Sequence, residues 1–333
     1  MEQKQDYPFK IKNTMIVSII LILLGFWFLI KGADWLVSGA SSLAKKNNIP
    51  DLAIGLTVVA FGTSAPEFVV NTVASFEDHS DIVLGNIIGS NNFNLFMILG
   101  IVGLIFPIAV QSSTVWKEIP ISLFAALLLL VLSNDFYFQE NNIISRIDGL
   151  ILMIMFGLFL FYIYKQMAKE VAVKSEIEKG ASSNYKIWGF ILIGLTGLIL
   201  GGKLVVDNAI EVATNIGVSE KIIGLTIIAA GTSLPELMTS VVAAFKKNSD
   251  IAIGNIIGSN IFNIFLILSI SAFVRPIKYS TVFNPDVYVL ISGTAFLFIA
   301  MFIGSNKKLD RWQSGLLLAT FISYTAYLIS KEI

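Results

Sequence analysis

Of 333 residues, 55% are hydrophobic and only 14% are charged, whereas a soluble globular protein carries about 25% charged residues. An ordinary cytosolic enzyme is excluded. Lys plus Arg and Asp plus Glu each number 23, so no basic excess exists to neutralise phosphates, and nucleic acid is not an expected partner. Zero cysteines rule out disulfides, thiolate metal sites and cysteine nucleophiles. The single histidine, His79, cannot build a His-rich metal site.

Each bilayer crossing uses about 20 mostly apolar residues, so this length accommodates about ten spans. Apolar runs predict helices starting near Thr14, Asp51, Asp81, Trp116, Asn142, Lys186, Glu220, Asp250, Pro285 and Arg311. The first run, residues 15–30, is followed by no small-residue cleavage signature and reads as a retained span, with no targeting peptide expected. The fourth run, residues 119–132, is short and needs residues 115–118 to cross. If connections alternate between the two sides, one side carries 13 Lys and Arg residues and the other 8. The richer side is expected to be cytoplasmic, with both termini outside and the polar linker 166–186 inside a cell membrane's cytoplasmic face. That linker divides the chain into halves 1–165 and 187–333.

Residues 55–100 align without a gap to residues 224–269, and 27 of the 46 pairs are identical. The most polar parts match best. Gly62-Thr63-Ser64-Ala65-Pro66-Glu67 pairs with Gly231-Thr232-Ser233-Leu234-Pro235-Glu236, and GNIIGSN recurs at residues 85–91 and 254–260. A duplication kept for packing alone preserves apolar faces instead. Five predicted spans separate equivalent points, and an odd number makes the second copy cross in the opposite sense. The expected fold is therefore an all-α integral membrane protein of about ten transmembrane helices, built as two inverted-topology five-helix repeats. Such repeats place a substrate site near the membrane midplane on interrupted helices.

Gly62 with Pro66, and Gly231 with Pro235, predict breaks in the second and seventh spans, because proline lacks a donor and clashes with the preceding turn. The break is expected to free carbonyls near Ala60 and Ala229, which need satisfying in lipid. Thr63 and Glu67 lie four residues apart, as do Thr232 and Glu236, so their oxygens share a helix face. On the following spans Asn86, Ser90 and Asn94, and Asn255, Ser259 and Asn263, form polar stripes of the same period. These are hard ligands suited to Ca²⁺ or Na⁺. Two glutamates give about −2, which balances one Ca²⁺ or two Na⁺.

The competing structural readings are plainer. Glu67 and Glu236 could be protonated acids hydrogen-bonded within the bundle, although ionisable groups inside membranes are costly and usually functional. Gly85, Gly89, Gly254 and Gly258 read as close helix packing. Asn86 and Asn255 read as structural hydrogen bonds, and Asn91 and Asn260 fit packing and function equally. Lys31 with Asp34, and Lys203 with Asp207, have the spacing of local ion pairs, and Asp81 and Asp250 read as helix-start acids.

With its doubled GTS-x-PE and GNIIGSN motifs, the chain resembles the sodium/calcium exchanger branch of the calcium/cation antiporter superfamily. The resemblance implies exchange of Na⁺ for Ca²⁺ by alternating access, with Glu67, Thr63, Ser64, Ala60, Ser90 and Asn94 as ion ligands from the first repeat. From the second it implies Glu236, Thr232, Ser233, Ala229, Ser259 and Asn263. It also implies that Ca²⁺ and Na⁺ occupy overlapping sites. Some members carry aspartate at one position equivalent to Asn94 or Asn263, so H⁺/Ca²⁺ or K⁺-dependent exchange stands as the alternative, followed by a passive cation channel. No Ser-His or Ser-Lys couple shares the repeat symmetry, so an intramembrane hydrolase is not expected. No cofactor and no obligate protein partner are expected beyond the ions and the bilayer. The linker 166–186 is too short for the large calcium-sensing domains of animal exchangers.

Overall fold

A computed structural model describes residues 7–134, 142–173, 183–215, 229–304 and 307–332. Its helices are α1 (Tyr7–Asn47), α2 (Asp51–Thr63), α3 (Ala65–Phe76), α4 (Ser80–Ile105), α5 (Thr114–Ser133) and α6 (Arg146–Val173). After the midpoint come α7 (Asn184–Asn215), α8 (Ala229–Thr232), α9 (Leu234–Phe245), α10 (Ser249–Val274), α11 (Thr281–Ala300) and α12 (Arg311–Glu332). Seven are long and apolar enough to cross a membrane, and an eighth crossing is the bent pair α2–α3. The start predicted near Glu220, part of the linker 166–186 and residues 224–228 of the second motif lie outside the described residues.

The fourth span includes the four residues its apolar run lacked, running from Thr114 through a π-helical turn at Thr114–Glu118. The fifth starts at Arg146 rather than near Asn142, because Ile143 and Ile144 form a strand, β2. Four two-residue strands pair the connections: β1 (Ile108–Ala109) with β4 (Lys308–Leu309), and β2 (Ile143–Ile144) with β3 (Ile277–Lys278), both antiparallel. Each bridge joins a connection from one half of the chain to a connection from the other.

At about 1.5 Å per residue the 41 residues of α1 extend about 60 Å, twice the hydrocarbon thickness of a bilayer, so α1 must tilt or project beyond it. It packs along α7. Glycines make the fit: a Cβ on Gly25 would lie 2.9 Å from the Gly201 carbonyl, and one on Gly32 would lie 2.8 Å from the Gly194 carbonyl. Gly194 and Gly201 stand at the repeat offset from Gly25 and Gly32, so the backbones meet in a symmetric small-residue seam.

Gly254 and Gly258 are equally tight against α2, where a Cβ would approach the Leu52 and Leu56 carbonyls at about 3.0 Å. For Gly85 and Gly89 the equivalent partner is mostly residues 221–228, outside the described set. The i, i+3 ion pair expected between Lys31 and Asp34 is not made. Asp34 Oδ1 instead receives Lys246 Nζ at 2.6 Å, because close packing of α1 brings the end of α9 nearer than its own preceding turn. No ion pair joins Lys203 to Asp207 either.

Gly32→Val and Gly201→Val are each expected to destabilise the fold by about 1–3 kcal/mol through overpacking. Gly157→Ala, whose Cβ meets nothing within 4 Å, should leave thermal unfolding in detergent unchanged. Equal melting of all three variants would refute the backbone seam.

Candidate ion-binding site

The two proline breaks take one form. Ser64 (φ −81°, ψ 10°) and Ser233 (φ −88°, ψ 6°) leave helical geometry, and α2 and α3 bend there by 48°. The break falls at the serine because Pro66, with no N–H, withdraws the donor that would bond the Gly62 carbonyl. The expectation of a freed carbonyl at Ala60 is corrected: Ser64 N–H donates to it at 3.0 Å. The second lone pair of that oxygen remains for another partner. Ala229 opens α8, and its side chain lies outside the described residues.

Just past each break, in the first turn of α3 and α9, come Glu67 and Glu236, each 1% exposed. The serines cross between repeats. Ser64 Oγ donates to Glu236 Oε1 at 2.9 Å, and Ser233 Oγ donates to Glu67 Oε1 at 3.2 Å. Ser259 Oγ is 3.0 Å from Ser64 Oγ and 3.5 Å from Glu236 Oε1. Thr63 Oγ1 lies 3.0 Å from Asn255 Oδ1 and 3.3 Å from the Ala60 carbonyl, and its one proton serves one of them at a time. Ser90, Asn94 and Asn263 are buried on α4 and α10. Asn94 and Asn263 sit in π-helical turns, Phe93–Ile98 and Asn263–Ile267, a distortion frequent at functional sites.

Both copies leave oxygens over, and for the two glutamates and for Asn94 and Asn263 the leftover atoms match across the repeat. Glu67 Oε2, Glu236 Oε2, Asn94 Oδ1, Asn263 Oδ1, Ser90 Oγ and Thr232 Oγ1 are buried with no hydrogen-bond partner among the described residues. Buried polar atoms are ordinarily paired, and four of these are acceptors with no proton to give. A protonated acid here would carry its O–H on Oε1 and donate to a serine oxygen, because neither Oε2 has an acceptor among the described residues. Neither glutamate has a Lys or Arg ion-pair partner among the described residues. An array of unpaired hard oxygens with about −2 formal charge is suited to a desolvated Ca²⁺ or Na⁺.

Asn86 and Asn255 make the structural bonds expected of them. Asn255 Nδ2 reaches the Glu236 carbonyl at 3.3 Å and Ser240 Oγ at 3.0 Å. In the other copy the donor is Asn71, whose Nδ2 lies 2.7 Å from the Glu67 carbonyl and 3.0 Å from Asn86 Oδ1. Asn71 was not singled out from the sequence. The signal was a polar residue four positions after each glutamate, Asn71 and Ser240. Of the two helix-start acids, Asp81 lies in the first turn of α4 and Asp250 accepts from Gln111 Nε2 at 2.6 Å, while Asn248 caps α10.

A polytopic helical bundle with paired, broken helices around buried acids defines the class of cation-antiporting membrane proteins. The sodium/calcium exchanger protein family matches residues 17–165 and 186–330, and the chain belongs to that family. It is 30% identical over 354 residues to the sodium/calcium exchanger MaX1 of Methanosarcina acetivorans, with 94% of this chain and 98% of that protein covered. It is 33% identical over 322 residues to the inner membrane protein YrbG of Escherichia coli K12, covering 94% and 97%. A structure of the sodium-calcium exchanger NCX_Mj, on extracellular ion exchange and induced binding-site occlusion, superposes with a TM-score of 0.81 at 34% identity. It covers 94% of this chain and 98% of that one.

Because the unpaired oxygens belong to the folded state alone, Ca²⁺ at a hundred times its Kd is expected to stabilise the protein by about 2.7 kcal/mol. The increment should vanish in Glu67→Gln, read as a thermal shift with and without the ion. An identical shift in both proteins would place the bound ion elsewhere.

Proposed function

We propose that the chain is a Na⁺/Ca²⁺ antiporter of the cell membrane, working by alternating access between two inverted five-span repeats. The observation that carries this reading is the set of buried, unpartnered oxygens on Glu67 and Asn94 of one copy and on their mates Glu236 and Asn263 of the other. Its ligands are the side chains of Glu67, Glu236, Thr63, Thr232, Ser64, Ser233, Ser90, Ser259, Asn94 and Asn263, with the carbonyls of Ala60 and Ala229. Two carboxylates balance one Ca²⁺ or two Na⁺. The same oxygens serve both, so occupancy by one ion excludes the other, and that competition couples the two gradients.

A count of ten adds to the eight crossings above the pair α8–α9, as counterpart of α2–α3, and the 22-residue α12. Positive residues orient the linker 166–186 to the cytoplasm and the termini outside.

α1 and α7, joined by their glycine seam, slide as one body against the remaining helices. The contact between the end of α9 and α1 supports a closed cytoplasmic side. Lys246 Nζ lies 2.6 Å from Asp34 Oδ1, 2.7 Å from Ser38 Oγ and 2.8 Å from the Asp34 carbonyl, tying α1 to the end of α9 on the cytoplasmic side. At the repeat offset stand Lys203 for Asp34 and Glu77 for Lys246, the same pair with its charges reversed. That second pair is not formed here, and Glu77 lies 3.8 Å from His79. Inverted repeats exchange conformations when access changes sides, so the opposite state closes Lys203 on Glu77 and releases Asp34 from Lys246.

The function is tested by ⁴⁵Ca²⁺ uptake into proteoliposomes preloaded with Na⁺, K⁺ or acidic buffer, with Glu67→Gln as control. Uptake that requires internal Na⁺ and is lost in the variant is expected. Uptake driven by protons or needing K⁺ would move the protein to another coupling, and uptake indifferent to every internal ion would leave a channel. The gate has its own test, since the chain has no native cysteine. Lys203→Cys with Glu77→Cys should cross-link in membranes. Adding Lys246→Ala removes an exposed pair worth about 0.2–1 kcal/mol, which should speed the reaction by up to about fivefold. No cross-link under any ion condition counts against the reversed pair.

A further inference from the structure

Four asparagines run in two antiparallel chains between the repeats. Asn260 Nδ2 lies 3.3 Å from the backbone carbonyl of Asn91, and Asn91 Nδ2 lies 3.3 Å from the backbone carbonyl of Asn260. Asn94 Nδ2 then donates to Asn260 Oδ1 at 3.1 Å, and Asn263 Nδ2 donates to Asn91 Oδ1 at 2.9 Å. All four residues are buried.

The two ends of an asparagine amide have nearly the same shape, and hydrogen bonding decides which is which. A backbone carbonyl can only accept, so each anchors the nitrogen of the opposing Asn91 or Asn260. Their oxygens must then face Asn263 and Asn94, which must answer with nitrogen. With the nitrogen end of each amide so committed, the oxygen end points away from the relay, and Asn94 Oδ1 and Asn263 Oδ1 are among the buried atoms without a partner.

We propose that Asn91 and Asn260 are positioning residues that fix the rotation of Asn263 and Asn94, so that each presents its carbonyl oxygen, and not its amino group, to a cation. This rests on the ion-binding reading of the site and deepens it. An unanchored amide spends part of its time with N–H groups turned toward the ion, where they repel it. The relay also discriminates by residue type. It accepts an amide at 94 and 263 and opposes an ionised carboxylate there, whose oxygen would face the Oδ1 of Asn260 or Asn91 with no proton between them. The asparagines at 94 and 263 and those at 91 and 260 form one matched set.

The experiment measures Ca²⁺ dependence of uptake in four proteins: wild type, Asn91→Ala, Asn263→Asp and the double variant. Asn91→Ala is expected to raise KM for Ca²⁺ about tenfold, the lower range for losing an outer partner of a metal ligand, with the maximal rate per folded protein within about twofold. Aspartate has two equivalent oxygens and needs no orienting. Asn263→Asp should therefore lower KM in the Asn91→Ala background by about tenfold more than it does in the wild-type background. A purely structural Asn91 gives the same fold-change from Asn263→Asp in both backgrounds, and that outcome overturns the proposal, as does an unchanged KM in Asn91→Ala. If Asn91→Ala does not fold, Asn260→Ala with Asn94→Asp tests the other chain of the relay by the same comparison. Wild-type protein without saturable Ca²⁺ uptake would defeat the exchange reading itself and this one with it. Equal effects with wild-type uptake intact defeat only the positioning role.

Discussion

Two carboxylates held in a membrane interior, with no lysine or arginine partner among the described residues, are the constraint around which the remaining structure is arranged. An isolated ionised carboxylate removed from water costs far more than a folded protein has to spare. The protein supplies hydrogen bonds to one oxygen of each, from Ser64 and Ser233. It leaves the other oxygen bare. Local rules then bend to keep those groups together. α2 breaks at Ser64, the π turns in α4 and α10 displace the ladder where Asn94 and Asn263 sit, and the amides of Asn91 and Asn260 span the gap between repeats. Each deviation occurs in both copies, as one site between two equal halves requires.

The reliance of each carboxylate on the other repeat explains why the duplication stays most faithful in its polar parts. Glu236 takes its serine from the first copy and Glu67 takes its serine from the second. A change at Ser64 is therefore felt by the glutamate 172 positions away rather than by the one three positions away. Apolar positions face no such reciprocity. Phe61 and Ala230 occupy equivalent places with unlike volumes, because each packs against its own surroundings.

The all-helical membrane character of the chain was legible in the sequence, since long apolar runs report it directly. The pairing was less legible. Thr63 and Glu67 share a face by spacing, yet their hydrogen bonds go to Asn255 and Ser233 in the other copy, a relation that no local period encodes. Lys31 was matched to Asp34 by the same logic, and Lys246 took the place through tertiary contact. Ala60 illustrates a third kind of miss. Proline marks the helix to be broken, but the donor it withdraws belongs to the residue four positions earlier, Gly62, and Ser64 still bonds Ala60. Asn91 and Asn260 could not be decided from sequence because their role depends on which end of an amide faces a carbonyl in the opposite repeat.

The places where the two copies disagree most sharply are also ordered. The interior motif at 62–67 differs from its mate only at Ala65, whereas Glu77-Asp78-His79 at one mouth faces Lys246-Lys247-Asn248 at the other. In the proposed site, interior positions of both halves face one ion and have reason to stay equal. Mouth positions meet different aqueous phases and different partners, and reversing their charge leaves the site untouched. A pair of opposite sign needs one acid and one base but has no preference for which helix carries which. Asp34 and Lys246 form such a pair, and Lys203 and Glu77 stand at the equivalent positions with the signs exchanged. In the proposed exchange cycle, matched contacts of this kind would keep the two end states close in free energy, and a carrier whose end states differ little can be driven either way by the ions it holds.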